Sequence, residues 1–85
     1  NQELNTEAYC KIFPNPMASG YWTLSVSSNL VGSFFELIDI NGKVVFTGKI
    51  ISADTVINPE IAAGIYYLKI NLFGTSLTKK MEKLF

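Results

Sequence analysis

Glu36, Asp39, Asp54 and Glu60 are carboxylates within the periodic part of this 85-residue chain. Two of them could perform general acid and base chemistry if they met in one cleft, in environments that split their pKa values. Their spacing implies no such meeting. Asp39 reads as a turn former, Glu36 as an exposed strand residue, Glu60 as the surface of a turn and Asp54 as the start of a strand. The chain has no His and no Arg. It therefore lacks the commonest acid, base and metal ligand near neutral pH, and the side chain best suited to bidentate phosphate recognition. With seven basic and seven acidic residues the formal net charge is zero, which argues against nucleic-acid binding. The single Cys10 excludes an intramolecular disulfide and a multi-cysteine metal site. Beside Ile12 it reads as a small buried hydrophobe, the alternative being a bridge to another chain. The segment DINGK places Asp39, Asn41 and Gly42 as a calcium loop would, but the further oxygen ligands and distant Glu are missing. No catalytic residue, metal or cofactor is predicted, and an enzyme is not the expected class.

The aromatic residues suggest a different chemistry, a stacking platform for sugars. Tyr9, Tyr21, Trp22, Phe34 and Tyr67 are numerous for so small a domain. Trp22 falls in phase with Leu24 and Val26, which assigns it to a core. That leaves Tyr21, Phe34 and Tyr67 as the exposed candidates for a carbohydrate-binding or adhesion module.

The elements that must position these residues are strands. In YWTLSVS the apolar Trp22, Leu24 and Val26 alternate with polar neighbours, the period of a strand with one buried face. AYCKIF is a shorter strand ended by Pro14, which cannot donate to a ladder. SFFELIDINGKVVFTG is a hairpin: Asp39 bonds the turn backbone, and Gly42 supplies the positive φ needed to re-enter a strand. Phe35, Leu37 and Val45 are expected on its buried face, with Glu36 and Lys43 in water. DTVIN is a short strand leading to a tight turn, PEIAAG, plugged by Ile61. IYYLKINLF then sets Tyr66, Leu68, Ile70 and Leu72 on one face. Tyr66, just after Gly64, fits either a tyrosine corner, whose hydroxyl bonds back to the upstream chain, or plain strand core. LTKKMEKLF fits a helix by propensity and a strand by alternation; the preceding strand needs a neighbour, so a strand is predicted.

About seven short strands with turn signals between them predict an all-β, immunoglobulin-like antiparallel β-sandwich. Residues 1–8, polar and without periodicity, are expected to be a linker from an upstream domain, and residues 9–85 the folded unit. No apolar run is long enough to span a bilayer as a helix, and NQELNTEAY has no basic and apolar export signal. If the protein is exported, that signal is expected upstream.

Four segments in series, IFPNPMASG, FELIDINGKVV, INPEIAAGIYYLKI and the Lys-rich TKKMEKLF, give the sequence a family likeness. It resembles the type A C-terminal sorting domains of type IX secretion cargo, the Por secretion-tail family, over nearly everything after the linker. The likeness maps the first motif to Pro14, Asn15, Pro16 and Gly20. The turn motif falls on Asp39, Gly42 and Lys43, the late motif on Gly64 and Tyr66, and the basic motif on Lys80 and Lys83. Met17-Ala18 stands where small residues are usual, Ile61 where Leu is common, and MEKLF is more acidic than the usual ending.

The resemblance implies a carrier function. An exported cargo would cross the inner membrane by its own N-terminal signal and pass through the periplasm. This domain would then direct it through the outer-membrane secretion translocon. A sortase-like surface protease would cleave upstream of the domain, leaving the cargo attached to the cell surface or released outside. A preorganised docking surface loses little entropy on binding, and the terminal strand is expected to be read as part of it, by strand addition at an edge.

Overall fold

The computed structural model describes residues 8–18, 20–72 and 75–84. Seven strands follow in order: β1 (Cys10–Phe13), β2 (Trp22–Val26), β3 (Phe34–Asp39), β4 (Val44–Lys49), β5 (Asp54–Ile57), β6 (Gly64–Leu72) and β7 (Thr75–Lys83). A single 3-10 turn, Ser28–Leu30, joins β2 to β3. The strands form two antiparallel sheets, β1-β2-β5 and β4-β3-β6-β7, stacked as the sandwich that the alternation predicts.

The core lies between the sheets, because the period of two sends every second side chain inward. Cys10, Trp22, Leu24, Val26 and Ile57 come from the three-stranded sheet, and Phe35, Leu37, Tyr66, Leu68, Ile70 and Met81 from the four-stranded one. Leu30, Ile50 and Met17 close the core from the connections. The terminal segment is strand as far as Lys83: Leu77 is half-buried against the core and Met81 fully buried. Residues 1–7 of the expected linker and the Phe85 end lie outside the described residues. Ala8 is half-buried against the core.

The β3-β4 hairpin departs in detail from a regular ladder. Its register shifts between Leu37 and Ile38, so Phe46 stands opposite Leu37 while Val44 pairs Ile38. Val45 and Phe46 consequently both pack on the core, where alternation alone places Val45. Gly48 lies opposite Phe35. A Cβ there would sit 2.6 Å from the Phe35 ring, so the buried ring occupies the space that a side chain would need.

Cys10 is buried as expected, and burial pushes its thiol above the ordinary value of 9.0, with nearby Lys79 opposing the shift. A folded-state pKa raised in this way contributes stability that is fully present below pH 9.0 and lost as pH rises through the folded value. Thermal melts are therefore expected to show an alkaline decline that is partly removed in Cys10→Ala. At pH 8 the native thiol should react with an aromatic disulfide reagent at least tenfold more slowly than the denatured chain. Equal rates would refute the burial.

Candidate functional site

The first sequence motif lies against the last strand. Pro14 ends β1. Asn15 then lies beside the free edge of β7, where its Nδ2 donates to the Lys80 carbonyl at 2.9 Å. Its Oδ1 accepts from the Glu82 N–H at 2.9 Å. A side-chain amide carries the same donor and acceptor pair as a peptide group, so Asn15 replaces one residue of a neighbouring strand. The main chain takes over at Met17, whose N–H donates to the Glu82 carbonyl at 2.8 Å and whose carbonyl accepts from the Leu84 N–H at 2.9 Å. Met17 and Lys83 form a parallel bridge. The Met17 side chain is buried, so the same residue closes the core and the edge.

Two consecutive carbonyls in the turn before β6 are tied by motif side chains. Tyr66 Oη donates to the Ala62 carbonyl at 2.7 Å, four residues back, and the ring is buried. Tyr66 thus satisfies both expectations, core residue and tyrosine corner. Lys83 Nζ donates to the Ile61 carbonyl at 2.6 Å. Ile61 is half-buried against the core, the plug that its position in IAAG predicts. Gly64 stands opposite Lys83, and Tyr66 opposite Met81, so this corner and the terminal strand share one stretch of ladder.

Asp39 shapes the DINGK turn. Its Oδ1 accepts from the Asn41 and Lys43 N–H groups, both at 2.9 Å, and its carbonyl accepts from Gly42 N–H at 3.0 Å. Gly42 adopts φ 85°, which suits glycine. Asp39 also pairs Tyr66 across β3 and β6, which brings this turn beside the corner. Asp39, Ile40, Ala63, Gly64, Ile65 and Tyr66 line a shallow, open cavity of ≈ 140 Å³ between them. That is below the size of an ordinary small-molecule site.

The motif residues thus gather at one end of the sandwich. Asn15, Lys80 and Lys83 meet along the β7 edge, with Pro14 just before Asn15 in the chain; Gly64 and Tyr66 join them through the corner, and Asp39 through β6. Gly20, Gly42 and Lys43 do not join these hydrogen bonds across elements. Gly20 closes the first segment locally, its N–H 3.1 Å from Met17 Sδ, while Gly42 and Lys43 belong to the exposed turn. Pro16 is exposed between Asn15 and the Met17 bridge. Met17, which the sequence singles out only as a departure from the usual motif, is central to this geometry. The signal for it is one apolar residue in a polar turn, matched by the buried phase of Met81.

Replacing Asn15 should loosen this junction without touching the core. Two net hydrogen bonds correspond to about 1–3 kcal/mol, or a fall in Tm of roughly 4–24 °C in a domain of this size. Asn15→Ala is expected in that range. Asn15→Asp should cost at least as much, because a carboxylate faces the Lys80 carbonyl where a donor stood. Thermal melts of the two variants decide, and an unchanged Tm in both would remove the strand-mimic role.

The other chemistries find no geometry. Glu36 and Asp39 stand three residues apart on β3 and so face opposite sides of the sheet, Asp54 is in the other sheet, and Glu60 is exposed in the turn. Among the described residues no group of three or more His, Cys, Asp or Glu could hold a metal ion. The three platform aromatics do not converge. Tyr21 leads into β2, whereas Phe34 and Tyr67 lie on the outer face of the other sheet. Tyr67 pairs Ile38, four positions along β3 from Phe34, about 13 Å away. Lys49 Nζ covers the Phe34 ring at 5.6 Å from its centre.

Comparison with known proteins gives a family and a fold likeness. The family model of the secretion system C-terminal sorting domain matches residues 11–83. Among solved structures, PorZ superposes with a TM-score of 0.72 at 15% sequence identity. It is described as an essential bacterial surface component of the type-IX secretion system of Porphyromonas gingivalis. The superposition covers 89% of this chain and only 11% of that one, and at such identity it shows a shared fold. No curated protein matches the sequence.

Proposed function

Because the chain belongs to the Por secretion-tail family of type IX C-terminal sorting domains, a family of sorting signals and not of enzymes, we propose that it is a folded address. It directs an exported cargo, attached through residues 1–8, across the outer membrane by the type IX translocon. The observation that supports this reading most is the clustering of motif residues from four separate segments at one end of the sandwich. Asn15, Tyr66 and Lys83 use their polar atoms internally. Their task is to hold the shape of that end, while the surface offered to the machinery consists of the exposed groups around them, among them Pro14, Pro16, Lys43 and Lys80. The cargo travels through the periplasm to the cell surface or the medium. A sortase-like protease then cuts upstream of the sandwich, and the product is anchored or released. No helix among the described residues is long and apolar enough to cross a membrane.

A reporter carrying an N-terminal export signal and this chain at its C-terminus tests the reading in a type IX-secreting bacterium. Delivery to the surface or medium is expected, with periplasmic retention in a translocon-deficient strain. By mass spectrometry the cleaved reporter should end upstream of the sandwich, at or before the linker residues 1–8. Retention in both strains, or equal delivery with the domain moved to the middle of the reporter, would overturn it.

A further inference from the structure

We infer that the open part of the β7 edge, residues 76–80, is a docking rail for an extended acidic segment of a partner protein, which adds to the sheet as one more strand. This rests on the sorting reading and deepens it by naming the chemistry of the partner. In an antiparallel ladder both main-chain groups of a residue point the same way, and the direction alternates along the strand. The bonds of Lys80 and Glu82 to Asn15 and Met17 show that even-numbered residues of β7 turn away from β6. Beyond the reach of Asn15, the N–H and carbonyl of Ser76 and Thr78 and the N–H of Lys80 therefore face outward. Among the described residues they have no partner.

Along the open stretch itself the charge is basic, and the acidic Glu82 of the same strand lies beyond it, beside Asn15 and Met17. Lys79 and Lys80 are exposed on the two faces of the strand, and neither makes an ion pair among the described residues. Lys69 of β6 stands opposite Thr78 and has Glu36 on its other side. The segment TSLTKKM contains no acidic residue. Lysines on an edge strand discourage pairing with a second copy of the same edge by like-charge repulsion. They attract an acidic strand, whose main chain supplies affinity and whose side chains supply selection. The Asn15–Met17 segment fixes where the rail stops, because it already fills the edge from Lys80 onward.

Two synthetic peptides of alternating residues, one of Glu and Val and one of Lys and Val, serve as probes for the intact 85-residue chain. The Glu/Val peptide should slow amide exchange of Ser76, Thr78 and Lys80 at least tenfold and leave the β1, β4 and β5 edges unchanged. The Lys/Val peptide should change the exchange of none of these amides. Thr78→Pro removes one outward N–H without removing a β6 bond, and the double variant Lys79→Glu, Lys80→Glu reverses the charge; each should weaken binding at least tenfold while the β6 amides stay protected. Absence of protection, protection at another edge, binding indifferent to the charge reversal, or self-association through β7 would each overturn the proposal. In the reporter assay, export lost in both variants supports it. Full export in both overturns the rail and leaves the sorting reading standing, whereas failure of the parent domain to export refutes the sorting reading itself.

Discussion

Deleting residues 80–85 should unfold the domain, with loss of its strand circular dichroism and of amide dispersion in its NMR spectrum. The deletion takes Met81 from the core, where it is fully buried opposite Tyr66. Removing a buried Met side chain alone costs about 2–5 kcal/mol. It also takes both partners of the Asn15 amide, both main-chain bonds of Met17, and the Lys83 tie to the Ile61 carbonyl. Each is worth about 0.5–1.5 kcal/mol net. A domain of this length has a total stability of roughly 4–13 kcal/mol. The combined loss is of the same size. A truncated chain that still melted cooperatively, with a dispersed spectrum, would show that the junction contributes much less than its contacts suggest.

This expectation changes what a truncation experiment means. If the last residues only contacted the translocon, their deletion would abolish export and leave a folded domain. Here the first motif is held by the last strand, so a chain lacking its end loses the shape of both. Point substitutions separate the two effects. Met81→Ala should reduce stability and export together, whereas Lys80→Ala, which alters an exposed side chain and leaves the Lys80 carbonyl in place for Asn15, should move export with little change in Tm.

The parts of this fold that were legible in the sequence are those set by short-range rules. Alternation placed Trp22, Leu24 and Val26 inside, and the Asp39 and Gly42 pair announced the hairpin turn, because both signals act within a few residues. The corner was legible as one of two readings of Tyr66, the other being strand core, because its acceptor is only four residues back. The details that escaped depend on residues distant in the chain. Asn15 between two prolines reads as a turn former, and nothing local reveals that its amide completes a ladder 65 residues away. The need for glycine at position 48 comes from the Phe35 ring on the neighbouring strand, which occupies the space of a side chain there. The shift that brings Phe46 opposite Leu37 depends on how the two strands pair, and no spacing within one strand encodes it. The candidate site followed the same division: its residues were marked by family likeness, but their union at one end of the sandwich comes from the pairing of β6 with β7 and of Met17 with Lys83.

Trp22 is the residue at which a single substitution should come closest to abolishing the fold, and the size of the effect should depend on what replaces it. It is fully buried, pairs Ile57 across the three-stranded sheet, and is the largest of the fully buried side chains. Trp22→Ala is expected to cost about 3–5 kcal/mol, which for a domain of roughly 4–13 kcal/mol leaves a chain near its unfolding threshold at room temperature. The indole adds a second term of opposite sign. Its Nε1 is buried with no acceptor among the described residues, and such a donor costs about 1–3 kcal/mol. Trp22→Phe keeps an aromatic ring in the core and removes that donor. Relief of the buried N–H then offsets much of the lost packing, and a net cost below about 2 kcal/mol is expected. Urea titrations followed by circular dichroism read both values from the shift in midpoint at constant slope. A Trp22→Phe variant as unstable as Trp22→Ala would mean that the indole N–H is held by a bond, and that the core depends on Trp22 for more than its volume.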